Sequence, residues 1–267
     1  MAFSPKEFRH FRLDKIERVN HNVNLFRFSL PNETDVAGLP VASCVMFRAN
    51  VEKEDGQLEE VIRPYTPVNL EEERGFVEFM IKYYPKGNMS KHVHNLKVGD
   101  TLEIKGPFEK YNWDQKTVQH VGMLAGGTGI TPMLQLLRKN LNPKAKDQTS
   151  HWTLIFANIT EEDIILKKEL DRLAKEYPHR FKVHYVLERP PATEDEGASK
   201  YHAGYISAEL LEKTMPKPDV ESSIIFVCGP PPFMEAMSGD KNPDKSQGEL
   251  RGYLKDLGYT SERVYKL

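Results

Sequence analysis

Two cysteines, Cys44 and Cys228, are all that the 267 residues contain. They stand far apart in differently patterned segments. A disulfide framework is not expected, and the usage suits a reducing compartment. A basic excess is missing too. The formal net charge is −2, so the charge balance typical of nucleic-acid binders is absent and no nucleic-acid partner is expected. No apolar run approaches the roughly 18–20 residues of a membrane-spanning helix. Met1 to His10 has no apolar h-region and does not read as a secretory signal. Membrane attachment is therefore expected only through a segment absent from this chain. Metal-site spacings are also lacking. His92 and His94 form an H-x-H pair with no Cys or carboxylate signature beside it, and they read as a solvated helix face. No metal is expected.

Hydrophobic residues make up 39% and charged residues 28% of the chain, enough for a packed core under a solvated surface. Up to Trp113 the rhythm is that of short strands rich in Val, Phe, Ile and Tyr. They span Phe8 to Val19, Val23 to Leu30, Val41 to Val51, Glu60 to Tyr65, Phe76 to Tyr83 and Thr101 to Ile104. Such spacing predicts an antiparallel barrel or sandwich, interrupted by one short helix from Ser90 to Asn95. After Gln115 strands and helices alternate. Strands are expected over Thr117 to Leu124, Trp152 to Asn158, Phe181 to Leu187 and Ser223 to Cys228. Helices are expected over Thr131 to Asn140, Glu161 to Glu176, Ser207 to Lys213, from Pro231, and from Gln247 to Leu257. That alternation predicts a parallel α/β sheet with a binding crevice at the carboxyl ends of its strands. The expected domains are 1–114 and 115–267, with the boundary inside Asn112 to Lys116. Pro190 to Lys200 and Ser238 to Ser246 read as polar loops, the second expected to be mobile.

Four motifs carry chemistry. In Arg63-Pro64-Tyr65-Thr66-Pro67-Val68 two prolines stiffen an extended segment. It displays a guanidinium suited to phosphate, a flat ring and a small hydroxyl. Gly87-Asn88-Met89-Ser90 precedes a helix, where Ser90 would be a natural N-cap and the loop amides could hold a pyrophosphate. Gly126-Gly127-Thr128-Gly129-Ile130-Thr131-Pro132 joins a strand to a helix, and its glycines let backbone amides approach a phosphate. Pro132 stands where a G-x-G-x-x-G fingerprint would have its last glycine, so the loop departs from that pattern and fits the first helical turn instead. Cys228-Gly229-Pro230-Pro231-Pro232 makes a rigid turn at the end of the last strand.

The order and spacing of these motifs resemble the ferredoxin reductase-like flavoproteins, and within them the NADH-cytochrome b5 reductases. Gly106-Pro107-Phe108-Glu109-Lys110-Tyr111 and the tail from Leu257 to Leu267 resemble the fungal mitochondrial branch. That branch commonly ends in an aromatic residue near the flavin where this chain ends in Leu267. The resemblance implies an N-terminal six-stranded FAD-binding barrel and a C-terminal NADH-binding α/β domain. It places Arg63 on the FAD pyrophosphate, with Pro64, Tyr65 and Thr66 along the flavin and the Thr66 hydroxyl near N5. It places Ile81, Lys82, Tyr83 and Tyr84 on the flavin-edge strand, and Gly87, Asn88, Met89 and Ser90 in the pyrophosphate loop. Gly127, Thr128, Thr131 and Pro132 would hold the nicotinamide dinucleotide, and Cys228, Gly229, Pro230 and Pro231 would flank the nicotinamide. Thr66 and Cys228 are the residues expected beside the hydride path.

The same resemblance implies a cycle in which NADH gives a hydride to FAD, and reduced FAD passes single electrons to a cytochrome b5-type haem protein. Glu188 ends the strand Phe181 to Leu187, where the family typically has aspartate. A carboxylate there accepts from a ribose 2′-OH and repels a 2′-phosphate, while Arg189 next to it could pair with one. NADH is the expected donor. Lys82, Lys86, Lys91, Lys97, Lys105, Lys110 and Lys116 face only Asp100, Glu103 and Glu109 in the same stretch before Asp114. They could form a rim that steers an acidic partner. A monomer is expected, at the mitochondrial outer membrane or intermembrane space, or on the cytosolic face of the endoplasmic reticulum. Two other readings stay open: a reductase module of the same superfamily with a nitrate reductase or ferredoxin-type acceptor, and a non-enzymatic nucleotide-binding redox sensor.

Overall fold

The structure is a computed structural model and describes residues 2–52, 56–69, 72–113, 118–192 and 200–267. The chain divides into two compact units. One is Met1–Trp113 with Leu134–Leu136, the other Asp114–Met133 with Leu137–Leu267. Most of the expected boundary, residues 114–116, lies outside the described residues.

In the first unit, alternation of buried and half-buried side chains builds strands with one face on a core. The strands are β1 (Arg9–Arg18), β2 (Val23–Ser29), β3 (Ser43–Glu52), β4 (Leu58–Tyr65), β5 (Phe76–Lys82) and β6 (Thr101–Glu109). They pair antiparallel in the order β4-β3-β6-β1-β2-β5. Phe26, Phe28, Phe47 and Phe79 are completely buried between them, each contributing roughly 1.5–3 kcal/mol of burial. Phe47 meets Phe79 edge to face at 4.7 Å. The helix α1 (Asn88–Asn95) adds Met89 and Val93 to this core. The two outer strands are joined beyond β4. Val68 N–H donates to Glu78 O at 2.9 Å. The Asn69 side chain donates to Phe76 O and accepts from Glu78 N–H. Strand β6 runs past the expected Ile104 because β3 absorbs a register shift between Cys44 and Met46. Gly106 makes that possible: a Cβ there would stand 2.8 Å from Val45 Cγ1.

The second unit is a parallel sheet in the order β10-β9-β8-β7-β11-β12. Its strands are β7 (His120–Gly126), β8 (His151–Asn158), β9 (Phe181–Leu187), β10 (His202–Ala203), β11 (Ser223–Cys228) and β12 (Val264–Lys266). The central strands are nearly continuous apolar runs, as a sheet covered on both faces requires. Helices α2 (Ile130–Asn140), α3 (Lys167–Glu176), α4 (Ala208–Thr214), α5 (Pro231–Met237) and α6 (Gly252–Asp256) accompany it. Leu124, Ile155, Val186 and Val227 meet Leu211, Met234 and Leu254 in its core. Trp152, near the amino end of β8, is buried and donates its indole N–H to Ser150 Oγ at 2.8 Å.

Two expectations are corrected here. The helix expected over Glu161–Glu176 is broken. A capping box between Thr160 and Asp163 closes a single 3-10 turn at Glu161–Asp163, and Leu166 adopts φ 61° before α3 begins. The helix expected from Gln247 starts only at Gly252, because Gly248 takes φ 66° and the Gln247 amide is engaged by Lys266. In the Ser238–Ser246 loop Asn242 N–H donates to Ser246 O at 3.1 Å, and Arg251 N–H donates to Ser238 O at 3.0 Å.

Candidate active site

The Arg63-Pro64-Tyr65 segment lies on β4, an outer strand, which is where a proline can sit without breaking a ladder. Arg63 is exposed and donates Nη1 to Ile62 O at 2.8 Å. Tyr65 is half-buried and stacks on Phe47 at 4.5 Å with 28° between the rings. Burial pushes its phenol up to about 12, with the charge of Arg63 pulling the other way and Tyr84 adding to the rise. Arg63, Tyr65 and Tyr84 are therefore neighbours, although 19 residues of sequence separate the last two. Thr66 is half-buried just beyond the strand, and Ile81 is buried on β5 with Lys82 half-buried after it.

The pyrophosphate-loop residues close up behind Tyr84. Ser90 is not the N-cap. The helix begins two residues earlier, with Gly87 in the capping position. The Ser90 hydroxyl turns back to Gly87 O at 3.1 Å and accepts from Tyr84 N–H at 3.3 Å. A Cβ on Gly87 would meet Ser90 Oγ at 2.5 Å. The first-turn amides of α1, at Asn88, Met89 and Ser90, are those a helix leaves without intrahelical acceptors, and no acidic side chain occupies that turn. The donor set suits an anion.

His92 and His94 correct a second expectation, since both are half-buried rather than solvated. His94 Nε2 donates to Ile81 O at 2.9 Å, and its ring meets Phe26 at 5.1 Å and Tyr83 at 5.4 Å. It props the strand carrying Ile81, Lys82 and Tyr83 from behind. Sequence reasoning missed this, and the available signal was its i, i+4 spacing from Ser90.

In the second unit the glycine loop forms a 3-10 turn at Gly127–Gly129 between β7 and α2. Gly127 takes φ 54°, and nothing stands within 4 Å of where its Cβ would be. Only glycine adopts that conformation at no cost, and it leaves the amides uncovered. Gly129 instead packs against the Cys228 carbonyl with no room for a Cβ. Thr131 is buried and donates to Thr128 O at 3.1 Å, and Pro132 lies in the first turn of α2. The phenyl ring of Phe233 fills the space beside Gly126 and Gly229. Pro230 caps α5 and Pro231 opens it. Burial pushes the Cys228 thiol up to about 11, partly offset by the charge of Lys241. Gly127–Gly129 and Cys228–Pro231 are thus one structure, formed at the carboxyl ends of neighbouring parallel strands.

Glu188 is exposed at the end of β9, and its N–H donates to Asn158 O at 3.1 Å. A cleft of about 370 Å³ opens beside it, lined by Thr160, Glu161, Glu162, Arg189 and Pro191. Asn158 Nδ2 is buried at the end of β8 with no hydrogen-bond partner. A buried donor at the crevice end of a strand is an open position for a ligand acceptor. The residues present therefore fit a dinucleotide in this unit, as the α1 amides and Arg63 fit one in the first. No group of three or more His, Cys, Asp and Glu side chains among the described residues could hold a metal ion.

The comparisons with known proteins agree with that donor set. The family model for an oxidoreductase FAD-binding domain matches residues 10–113, and that for an oxidoreductase NAD-binding domain matches residues 123–239. NADH-cytochrome b5 reductase 2 of Coccidioides immitis is 48% identical over 255 residues, covering 96% of this chain and 75% of that protein. Its counterpart in Aspergillus terreus is 46% identical over 256 residues, covering 96% and 76%. The chain belongs to the NADH-cytochrome b5 reductase family. Among solved structures, the cytochrome b5 reductase domain of Ulva prolifera nitrate reductase superposes with a TM-score of 0.81 at 30% identity, covering 100% of this chain and 99% of that one. Like its family, the chain pairs an antiparallel FAD-binding sheet with a parallel NAD-binding sheet, and FAD and NADH are its cofactors. No helix among the described residues is long and apolar enough to cross a membrane.

Proposed function

We propose that this reductase carries electrons from NADH through FAD to a cytochrome b5-type haem protein. The observation that carries the reading is that both dinucleotide loops end on helix N-termini, at Gly87 before α1 and at Gly127–Gly129 before α2. Bound FAD supplies the chemistry that joins a two-electron donor to a one-electron acceptor.

The chain supplies binding and alignment. Arg63 and the amides of Asn88, Met89 and Ser90 hold the flavin dinucleotide's phosphates. Pro64, Tyr65 and Thr66, with Ile81, Lys82 and Tyr84, hold its ring system, and Phe47 fixes the Tyr65 ring. Gly127, Thr128, Thr131 and Pro132 hold the nicotinamide dinucleotide. Gly229, Pro230 and Pro231 keep Cys228 at the nicotinamide. No side chain is needed as a general base, so the rate depends on alignment. Glu188 selects NADH. Arg189 is outnumbered in its cleft by Glu161 and Glu162, which disfavours a 2′-phosphate further.

The domain limits in this reading are 1–114 and 115–267. The protein acts as a monomer, at the mitochondrial outer membrane or intermembrane space, or on the cytosolic face of the endoplasmic reticulum. The likeness to the nitrate reductase domain supports one second reading, in which the electrons go to a different acceptor. Rapid bleaching of the bound flavin by NADH, followed by turnover with cytochrome b5 in an acceptor panel, is the expected result. Bleaching without cytochrome b5 turnover would move the assignment to the second reading. In the same preparation, Arg63→Ala should loosen FAD by roughly 10- to 100-fold, because a charge-assisted hydrogen bond is worth about 1.5–3 kcal/mol. An Arg63→Ala protein that keeps its flavin on dilution removes Arg63 from the site.

A further inference from the structure

The backbone does not require glycine at positions 126 and 229. Gly126 is extended, at φ −115° and ψ 118°, and Gly229 lies outside the left-handed region. Both conformations are open to residues with side chains. What excludes a side chain is Phe233. A Cβ on Gly229 would stand 2.5 Å from Phe233 Cδ1 and 2.9 Å from its Cγ. One on Gly126 would stand 3.1 Å from Cδ2 and from Cγ, and as far from Pro230 Cδ. The two edges of a single ring therefore face the two glycines. Cys228 and Ala125 are register partners on β11 and β7. Gly229 and Gly126 follow them at adjoining strand ends, and the ring spans both.

The ring is held from its own side as well. Phe233 packs against the apolar core of the sheet, in which its helix neighbours Met234 and Met237 are buried. Met234 N–H donates to Pro230 O at 3.0 Å and closes the turn onto the helix. Pro230, Pro231 and Pro232 fix their own φ angles, so little of the turn can move independently of the ring. Gly127 is the contrast. It takes φ 54° with open space where its Cβ would be. The loop thus leaves Gly127 uncovered, while the ring covers Gly126 and Gly229.

We infer that Phe233 is a positioning residue for the reaction: its ring, wedged on the bare faces of Gly126 and Gly229, sets the spacing between the Gly127–Gly129 loop and the Cys228–Pro231 turn. Hydride transfer depends on alignment, and a misplacement of about 1 Å can cost on the order of 100-fold. Phe233 meets the loop at Gly126 and not at Gly127, so it acts on the rate of transfer more than on the grip on the dinucleotide. The inference rests on the reading of loop and turn as two sides of the nicotinamide dinucleotide's site.

The test uses the FAD-loaded protein and follows flavin reduction across NADH concentrations. Phe233→Ala and the milder Phe233→Val should lower the limiting rate about tenfold or more, while changing the half-saturating NADH concentration less than about threefold. Phe233→Leu keeps Cγ and two Cδ carbons and should recover most of the rate. Gly229→Ala should slow the parent but cost nothing further in Phe233→Ala, because the ring it meets is gone. Alkylation of Cys228 by a maleimide gives a readout independent of turnover, since Cys44 is buried and Cys228 half-buried. Phe233→Ala should react several-fold faster than the parent, and NAD+ should protect the parent. Parental limiting rates in Phe233→Ala and Phe233→Val, unchanged alkylation in Phe233→Ala, or an equal cost of Gly229→Ala with and without the ring overturns the inference. Failure of NAD+ to slow alkylation of the unaltered protein would instead overturn the reading of the turn beneath it.

Discussion

The backbone of Gly129 packs against the end of β11 so closely that a methyl group there would stand 2.5 Å from the carbonyl carbon of Cys228 and 2.9 Å from Gly229 N. Backbone on both sides leaves nothing flexible to yield. Gly129→Ala should therefore destabilise the parallel unit by roughly 1–3 kcal/mol or more, the range for overpacking. It should also slow flavin reduction by NADH, because the loop and the turn can no longer keep their mutual geometry. Calorimetry and stopped-flow reduction measure the two effects. A variant with unaltered Tm and rate would show that the contact is not needed.

Glu188 and Arg189 can be separated by substitution. Glu188→Gln and Glu188→Ser should each raise kcat/KM for NADPH, by roughly tenfold if the repulsion is worth about 1.4 kcal/mol. Arg189→Ala should not raise it, since that change removes the cation from a cleft that keeps Glu161 and Glu162. If neither Glu188 variant gains NADPH activity, discrimination lies elsewhere on the cleft wall.

His94 gives the flavin unit a pH dependence of definite sign. Burial lowers the pKa of His92 and of His94, in the latter against the pull of the bond to Ile81 O. The unfolded chain, with histidines near 6.5, then binds more protons than the folded one. Stability should be complete above pH 6.5 and should fall as pH drops through 6.5 toward the folded values. His94→Gln keeps a donor for Ile81 O and should flatten this slope. His184, also lowered by burial and by neighbouring His202, adds a similar slope in the other unit. Thermal melts at pH 7.5 and pH 5.5, read as a difference between parent and variant, isolate the His94 part.

Lys86, Lys91 and Lys97 are exposed in the segment expected to meet the haem partner, whereas Lys105 and Lys110 are half-buried and Lys116 lies outside the described residues. The exposed three are the ones to reverse. Lys86→Glu with Lys91→Glu should slow cytochrome b5 reduction far more than NADH oxidation by a neutral dye. Raising ionic strength should slow the parent with cytochrome b5, because screening shortens the reach of such charges to about 10 Å at 0.1 M. Salt-independent turnover with cytochrome b5 would end the docking idea.

The parts of the fold that could be read from sequence are those where one local signal decides. Ser223–Cys228 is a short apolar run buried almost throughout, Phe181–Leu187 is a short run whose carboxyl half is buried, and their expected limits match β11 and β9. Gly127–Gly129 was legible because a strand, a glycine turn and a helix follow in order. What escaped depends on distant partners. Periodicity alone carries a helix through Glu161–Glu176, but Asp163 turns back to cap Thr160 and Leu166 leaves the helical region. Gln247 looks like a helix start and instead serves Lys266, 19 residues later. Two- and three-residue strands such as β10 and β12 exist only through their neighbours. Asn158 carries no sequence signal for an unpaired amide, which arises from its place at the end of β8.

Trp152 and Asn158 mark opposite ends of β8, about 20 Å of strand apart at roughly 3.3 Å per residue. An indole shut away from water and hydrogen bonded to a neighbouring hydroxyl emits at shorter wavelength than a solvated one. The parallel sheet thus contains its own optical gauge at the end remote from the crevice. In flavin-free protein carrying Trp113→Phe, which leaves Trp152 as the single indole, the colour of that emission reports whether the sheet is assembled.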